Sequence, residues 1–389
     1  MTVKSIKNVK DLTGKRVLVR CDFNVAVGKN KITDDFKIVE SLPTIRFLTA
    51  KGARVILLTH FGRPDGKKIK DYKLTIIKSR LEKLLGKKVV YVEDCVGEKA
   101  RMAVEQLKNG QIILLENVRF YKEEEKNDKK FAQALSGLAD IYVNDALAVS
   151  HRAHASVAAI KKYLPTYAGL LLEKEILNLN KILRPAQPLV VIIGGAKLET
   201  KVPVIKNLRK KAQAVLIGGM ISYDFLAAKK WSTGKYKVDN AQRKSAKKLL
   251  YKNVILPLDF VAADKTNGQG VVKIVNAQEL PKNCWQLDIG PETVKLYARY
   301  LKTAKTIIWN GPMGRFENER FKNGTLAIAR LVAAISSGKA FGVAGGGETV
   351  AALKQTQMMG YVDFVSTSGG AMLEYLAGNK LPGLKNIIK

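Results

Sequence analysis

Cysteine is nearly absent: Cys21, Cys95 and Cys284 are the only three in 389 residues, and they lie far apart. An odd, scattered set excludes a disulfide framework and has no metal-ligand spacing, so buried thiols in a reducing compartment are expected. Histidine is equally scarce, with three residues. Long apolar runs are missing as well; the stretch 189–196 is strand-sized, far short of the roughly 20 residues that a membrane helix needs. No fixed-period repeat and no low-complexity segment occurs, which excludes solenoid and fibrous architectures. The first ten residues are polar and basic with no apolar core, so they do not read as a secretory signal, and a cytoplasmic location is expected.

Acidic residues are in short supply. There are 34 Asp plus Glu against 67 Lys plus Arg, giving a net charge of +33. Such a field attracts phosphorylated metabolites, and also nucleic acid or anionic lipid. The basic residues are spread along the chain, however. The densest clusters, Lys67-Lys68, Arg209-Lys210-Lys211 and Lys247-Lys248, are short and lack interleaved aromatics. With no helix-turn-helix, RNA-binding aromatic motif or zinc finger, no dedicated nucleic-acid partner and no membrane partner are expected.

What the chain does have is a 47% hydrophobic content, enough for two or three globular cores at this length. Strand-like runs rich in Val, Ile and Leu alternate with amphipathic stretches. The runs are 16–23, 54–60, 89–93, 112–116 and 141–144, then 189–193, 214–217, 254–258, 306–309, 340–343 and 364–366. Their lack of polar alternation predicts parallel strands buried on both faces, hence open α/β sheets with ligands at the carboxyl ends of the strands. A helix is expected over 34–51, capped by Thr33 and stopped by Gly52. Another is expected from Gly169 to about Leu183, ended by Arg184-Pro185-Ala186-Gln187-Pro188. The stretch 264–270 reads as a polar turn.

The strand ends are of two kinds. In the first half they carry Asp22-Phe23-Asn24, His60-Phe61-Gly62-Arg63, Glu116-Asn117-Val118-Arg119 and His151-Arg152-Ala153-His154. Arginine forks grip small anions, and several at successive strand ends would converge on one crevice. Asp22 and Asn24 flank Phe23 and should point the same way, although the tripeptide also reads as a turn cap. His151 and His154 have the i, i+3 spacing of a metal pair but no third-ligand motif.

In the second half the strands end in glycine: Gly194-Gly195-Ala196-Lys197, Asn310-Gly311-Pro312-Met313-Gly314 and Gly345-Gly346-Gly347-Glu348-Thr349. Glycines opening a helix leave bare N–H groups for phosphate, and a neighbouring carboxylate suits Mg²⁺. Lys197 and Lys201, four apart, would share one face of a starting helix. The spacing is not that of a Walker loop, and each glycine cluster alone also reads as a tight turn.

Taken in order, these motifs resemble the phosphoglycerate kinase family nearly end to end. The resemblance is carried by Asp22-Phe23-Asn24-Val25, Lys31-Ile32-Thr33-Asp34-Asp35, Leu42-Pro43-Thr44-Ile45, Gly62-Arg63-Pro64, Glu116-Asn117-Val118-Arg119-Phe120 and Val143-Asn144-Asp145-Ala146. It continues through His151-Arg152-Ala153-His154-Ala155-Ser156, Gly194-Gly195-Ala196-Lys197, Asp288-Ile289-Gly290-Pro291, Trp309-Asn310-Gly311-Pro312-Met313-Gly314 and Leu381-Pro382-Gly383. It implies two Rossmann-like domains joined by a long helix and hinge. The first, 1–168 plus 371–389, would bind 3-phosphoglycerate or 1,3-bisphosphoglycerate. The linking helix would span 169–184, and the second domain, 185–370, would bind Mg-ADP or Mg-ATP.

The resemblance also implies site residues. Asp22, Asn24, Lys37, His60, Arg63, Arg119 and Arg152 would hold the acid. Lys197, Lys201, Gly218, Gly219, Asn310, Pro312, Glu317, Gly345, Gly346, Gly347, Glu348 and Thr349 would hold the nucleotide. Glu348 would be the Mg²⁺ partner, and Lys37, Lys197, Lys201 and Gly346 would face the transferring phosphoryl group. A monomeric enzyme is expected, transferring in line on domain closure without a covalent intermediate.

The chain departs from the family pattern at several points. Lys37 stands where the family has arginine, and Glu348 where it has aspartate. Met220 replaces a small residue, Ser368 a hinge glycine, and Arg315 a small apolar residue. Two other readings stay open: a basic binding scaffold without turnover, and a kinase for another small phosphorylated acid.

Overall fold

The computed structural model describes residues 2–29 and 31–388. The chain divides into two compact units, Met1–Leu177 with Lys380–Lys389, and Asn178–Asn379.

The first unit is built on a six-stranded sheet. Its strands are β1 (Arg16–Arg20), β2 (Arg54–Leu58), β3 (Val89–Val92), β4 (Ile112–Leu115), β5 (Ile141–Asn144) and β6 (Thr166–Ala168), in the spatial order β3-β4-β2-β1-β5-β6. Every pairing is parallel. Alternate residues serve opposite faces, as the strand period requires. Val17 and Val19 pack with Ile38 and Ile45 of helix α1 (Phe36–Ala50), while Leu18 packs with Ile56, Leu58 and Tyr142 on the other face. Each such fully buried aliphatic side chain contributes about 1.5–3 kcal/mol relative to exposure.

Helix α1 ends where expected, with Lys51 as C-cap and Gly52 at φ +70°. Its start differs. Thr33 belongs to a two-stranded ribbon, Ala26–Gly28 against Lys31–Asp34, and donates its hydroxyl to the Ala26 carbonyl at 3.1 Å. Asp35 therefore takes the N-cap position, without a side-chain cap bond.

The boundary between the units falls within helix α2 (Leu170–Leu183). In the second unit a parallel sheet runs β9-β8-β7-β13-β14-β15. Its strands are β7 (Leu189–Ile193), β8 (Ala212–Ile217), β9 (Val254–Ile255), β13 (Thr306–Asn310), β14 (Phe341–Gly345) and β15 (Phe364–Ser366). All five residues of β7, LVVII, are buried, as in a strand covered on both faces. Beside it lies an antiparallel sheet, β11-β10-β12, made of β10 (Asp259–Ala263), β11 (Val272–Asn276) and β12 (Trp285–Ile289). None of those three was expected from the sequence; the β11 run Val-Lys-Ile-Val-Asn is largely exposed and too mixed in polarity to read as buried parallel strand.

Four more helices matter for the site: α3 (Val202–Leu208), α4 (Ile221–Ala228), α5 (Gly347–Gln355) and α6 (Gly369–Leu376). The return of the chain to the first unit begins at Lys380 and not at residue 371. The reason is that α6 packs on α3, where Asn207 Nδ2 donates to the Leu376 carbonyl at 2.7 Å. The segment after 380 is tied to the first unit: Lys4 N donates to the Ile387 carbonyl at 2.8 Å, and Asn144 Nδ2 to that of Gly383 at 3.1 Å.

Candidate active sites at the two carboxyl sheet edges

In the first unit the polar motifs lie just past the ends of β1, β2, β4 and β5, where a parallel sheet offers its crevice. Strand β1 stops at Arg20, and Asp22 and Asn24 follow in an irregular segment. Phe23 N donates to Thr59 Oγ1 at 2.9 Å, and Asn24 Oδ1 accepts from Gly62 N at 2.9 Å, so the loops after β1 and β2 are stitched together. Asn117 holds the loop after β4: its Oδ1 accepts from Phe61 N and Arg119 N, both at 3.1 Å.

Onto this frame the side chains converge. Lys37 Nζ lies 2.6 Å from Asp22 Oδ2, and His60 Nδ1 lies 3.8 Å from Asp22 Oδ1. Arg119 is buried and donates from Nη1 to the Gly62 carbonyl at 3.0 Å. Its Nε sits 3.1 Å from Glu125 without hydrogen-bond geometry, and Nη2 has no hydrogen-bond partner among the described residues. Arg152 Nε faces His151 Nε2 at 3.3 Å. Arg63 is exposed on its loop.

The closeness of these groups has electrostatic consequences. Burial holds His60 well below its ordinary pKa, and Arg20, Arg119, Lys37 and Arg152 push the same way. His60 is therefore a neutral imidazole at pH 7. Arg119 is drawn down to about 10, first by burial, with Arg152 and Arg20 adding to it and Glu125 opposing. A buried cation with an unused N–H, close to other cations, carries a desolvation and repulsion cost that its neighbouring carboxylates do not fully offset.

Sequence reading missed Arg20. It is fully buried at the end of β1, donating from Nε to Ser156 Oγ at 2.8 Å and from Nη1 to the Cys21 carbonyl at 2.5 Å. The available signal was an arginine closing an apolar run with no solvent-facing neighbour. Of the histidine pair, His154 faces buried Glu124 at 3.7 Å and His151 faces Arg152. No group of three metal-ligating side chains occurs among the described residues. All three cysteines are buried and free, as expected.

In the second unit backbone replaces side chain. Gly194 N donates to the Asn310 carbonyl, and Gly195 N to that of Pro312, both at 2.9 Å; Gly219 N donates to the Met313 carbonyl at 2.8 Å. Three loops thus form one hydrogen-bonded floor. Their contact demands glycine: a Cβ on Gly194 would lie 2.1 Å from the Pro312 carbonyl oxygen, and one on Gly219 (φ +66°) would lie 2.5 Å from Gly195 N. Asn310 Nδ2 donates to the Gly345 carbonyl at 2.6 Å, and Gly311 N to Thr349 Oγ1 at 2.7 Å. Gly346, at φ +100°, is the N-cap of α5, so the free N–H groups of that helix open here.

Lys201 reaches this point and donates from Nζ to Asn310 Oδ1. Burial draws it down to about 8, with Glu348 opposing. Glu348 is raised from its ordinary value, first by burial and then by Glu317, with Lys201 pulling it down. Lys197 does not join it on one helical face. Helix α3 begins only at Val202, because Pro203 in its first turn sets the start and disfavours helix before it. Lys197 instead lies exposed on the preceding loop. Beside the glycine floor opens a cleft of about 390 Å³, lined by Gly195, Gly219, Pro312, Glu317 and Glu348 at one part and by Tyr223, Tyr236 and Trp285 at another. Met220 stands exposed at its wall.

The family model described as phosphoglycerate kinase matches residues 6–379. The phosphoglycerate kinase of Borreliella burgdorferi (strain ZS7) is 45% identical over 393 residues, covering 99% of each chain. That of Pelotomaculum thermopropionicum is 44% identical over 395 residues, covering 100% of each. Among solved structures, phosphoglycerate kinase from Coxiella burnetii is similar with a TM-score of 0.85 at 38% identity, covering 99% of each chain. The enzyme from Pyrococcus horikoshii is similar with a TM-score of 0.87 at 32% identity, covering 98% of each. The chain belongs to the phosphoglycerate kinase family, a family of phosphotransferases.

Proposed function

We propose that this chain transfers a phosphoryl group reversibly between 1,3-bisphosphoglycerate and ADP, giving 3-phosphoglycerate and ATP, as a step of glycolysis and gluconeogenesis. The observation that carries the reading is Arg119, a buried guanidinium with an Nη2 that has no partner among the described residues, in a group of cations that adds to burial in depressing His60. Such a cluster is stable as a binding site for a small polyanion and costly otherwise.

The roles follow from residue chemistry. Arg119, Arg152 and Arg63 bind the acid's anionic groups, Arg119 offering the Nε and Nη2 that have no hydrogen-bond partner among the described residues. Asp22 and Asn24 accept from its hydroxyl or hold Lys37 and the Gly62 loop. Neutral His60 supplies a hydrogen bond without adding charge. In the second unit, Lys201 and the N–H groups of Gly346 and Gly347 face the nucleotide phosphates, with Lys197, Gly218, Asn310, Pro312, Glu317, Gly345 and Thr349 shaping the pocket. Both acceptor oxygens are ionised at pH 7, so no general base is needed. Alignment, exclusion of water and positive charge around a loose transition state suffice.

Glu348 fits a divalent cation: its charged form is disfavoured by burial and by Glu317, which a hard cation would relieve. It would hold Mg²⁺ together with nucleotide phosphate oxygens, and the ion would neutralise phosphate charge. Transfer requires the two substrates to meet in line, so the proposal includes a closing movement of the units. A coupled assay tests it: ATP consumption that depends on both 3-phosphoglycerate and Mg²⁺ is expected. Folded protein without 3-phosphoglycerate-dependent ATP consumption contradicts it.

A further inference from the structure

One part of the nucleotide cleft is not built by the sheet. The turn between β10 and β11, residues 264–270, contributes Thr266 to the cleft lining. Ala263, at the end of β10, pairs with Trp285 on β12, so Thr266 follows on from the aromatic wall. Within the turn itself the hydrogen bonds are few: Asp264 Oδ1 accepts from Val271 N at 2.9 Å, Asn267 Oδ1 from Gln269 N at 3.0 Å, and Asn267 Nδ2 donates to Gln269 Oε1 at 2.9 Å.

The turn is gripped from outside instead. Arg315 Nη1 donates to the Thr266 carbonyl at 2.9 Å. Asn318 Nδ2 donates to that of Asn267 at 3.1 Å, and Arg320 Nη1 to those of Gly268 and of Gly270, the latter at 2.9 Å. Arg315, Asn318 and Arg320 belong to one six-residue segment directly after the Gly311–Gly314 loop of the glycine floor, and a further grip comes from Lys235, whose Nζ donates to the Asp264 carbonyl at 2.9 Å. Arg315 is fixed in turn, since its backbone N donates to the Leu287 carbonyl of β12 at 2.7 Å. Gly268, at φ +87°, fits because Asn318 packs where a Cβ would be, 2.8 Å away.

Resting on the nucleotide reading of this cleft, we propose that 264–270 is a strap along the base end of the nucleotide pocket, and that Arg315 is the positioning residue that sets it. A polar turn held by side-chain donors to its carbonyls takes its position from them. Each bond is solvent-exposed and individually weak, so the strap belongs to the easily opened part of the unit. Arg315 and Thr266 both line the cleft, so movement of either changes the wall that the base meets. Phosphate contacts, made at Lys201 and the start of α5, are independent of it.

The test separates base from phosphate. Binding of MgADP and of Mg-tripolyphosphate, which has no base, is measured by titration calorimetry on the full chain and on Arg315→Leu, Arg315→Lys and the double variant Asn318→Ala/Arg320→Ala. Arg315→Leu is expected to weaken MgADP about three- to tenfold and leave tripolyphosphate unchanged, with Arg315→Lys intermediate. The double variant, which removes grips without touching the cleft lining, is expected to show the same selective loss. Equal weakening of both ligands by Arg315→Leu would make the arginine a general attractor of anions and overturn the proposal. Loss in Arg315→Leu but none in the double variant would overturn the strap. Because nothing here requires turnover, a chain that binds MgADP but fails with 3-phosphoglycerate would sink the proposed reaction and leave the strap standing.

Discussion

The two sheets put their proposed functional groups at the same kind of edge but use opposite materials. The first unit spends side chains: Lys37, His60, Arg119 and Arg152 crowd into a crevice where burial and mutual repulsion depress His60 and Arg119. The second unit uses backbone: glycine loops touch at separations no Cβ allows, with the buried amine of Lys201 bonded to Asn310 beside them. The difference fits the ligands proposed. A small acid offers little surface and must be held by charge. A nucleotide brings phosphates, which helix N–H groups hold, and a base, which an apolar wall holds.

The comparison can be broken from either side. The largest expected effect is at Lys201. Lys201→Met removes the buried cation beside the start of α5 and should lower kcat by about 10³-fold, since preorganised charge at the transferring group is worth that much; steady-state kinetics with both substrates saturating check it. Next is Arg119→Met. Loss of charged hydrogen bonds worth about 1.5–3 kcal/mol each should raise the KM for 3-phosphoglycerate about 10²-fold. Because its Nη2 is already unpaired, the melting temperature should hold or rise, as at sites where stability was traded for binding.

Smaller is Lys37→Arg. Lys37 Nζ already lies 2.6 Å from Asp22, whereas a guanidinium could keep that bond and present further donors. We expect kcat to rise several-fold, more than KM falls, and an unchanged or lower kcat contradicts it. The smallest effect concerns pH. Lys201 in the free enzyme titrates at about 8, below its ordinary value because of burial. As pH rises through that value the cation is lost, so kcat/KM for MgATP should fall, and Lys201→Arg should remove that limb of the profile.

Much of this was legible in the sequence for a physical reason. Doubly buried parallel strands such as 189–193 leave an unbroken apolar run, and chemistry placed at their carboxyl ends follows directly in the chain. What stayed hidden depended on tertiary partners. Arg20 looks like any charged strand end until Ser156 arrives from 136 residues away. The exposed strand β11 has no burial to pattern it. Lys197 and Lys201 read as one helical face, but Pro203 delays the helix and separates them. The turn 264–270 showed only as polar, because the donors that hold it come from about 50 residues later and, at Lys235, from 29 residues earlier.

The division of labour between the two edges is tested most directly by crossing ligand and variant. Dissociation constants for 3-phosphoglycerate and for MgADP are measured on the parent chain, Arg119→Met and Lys201→Met. The account predicts that Arg119→Met loses only 3-phosphoglycerate and Lys201→Met weakens only MgADP. Loss of the same ligand in both variants, or of the wrong ligand in either, would contradict it.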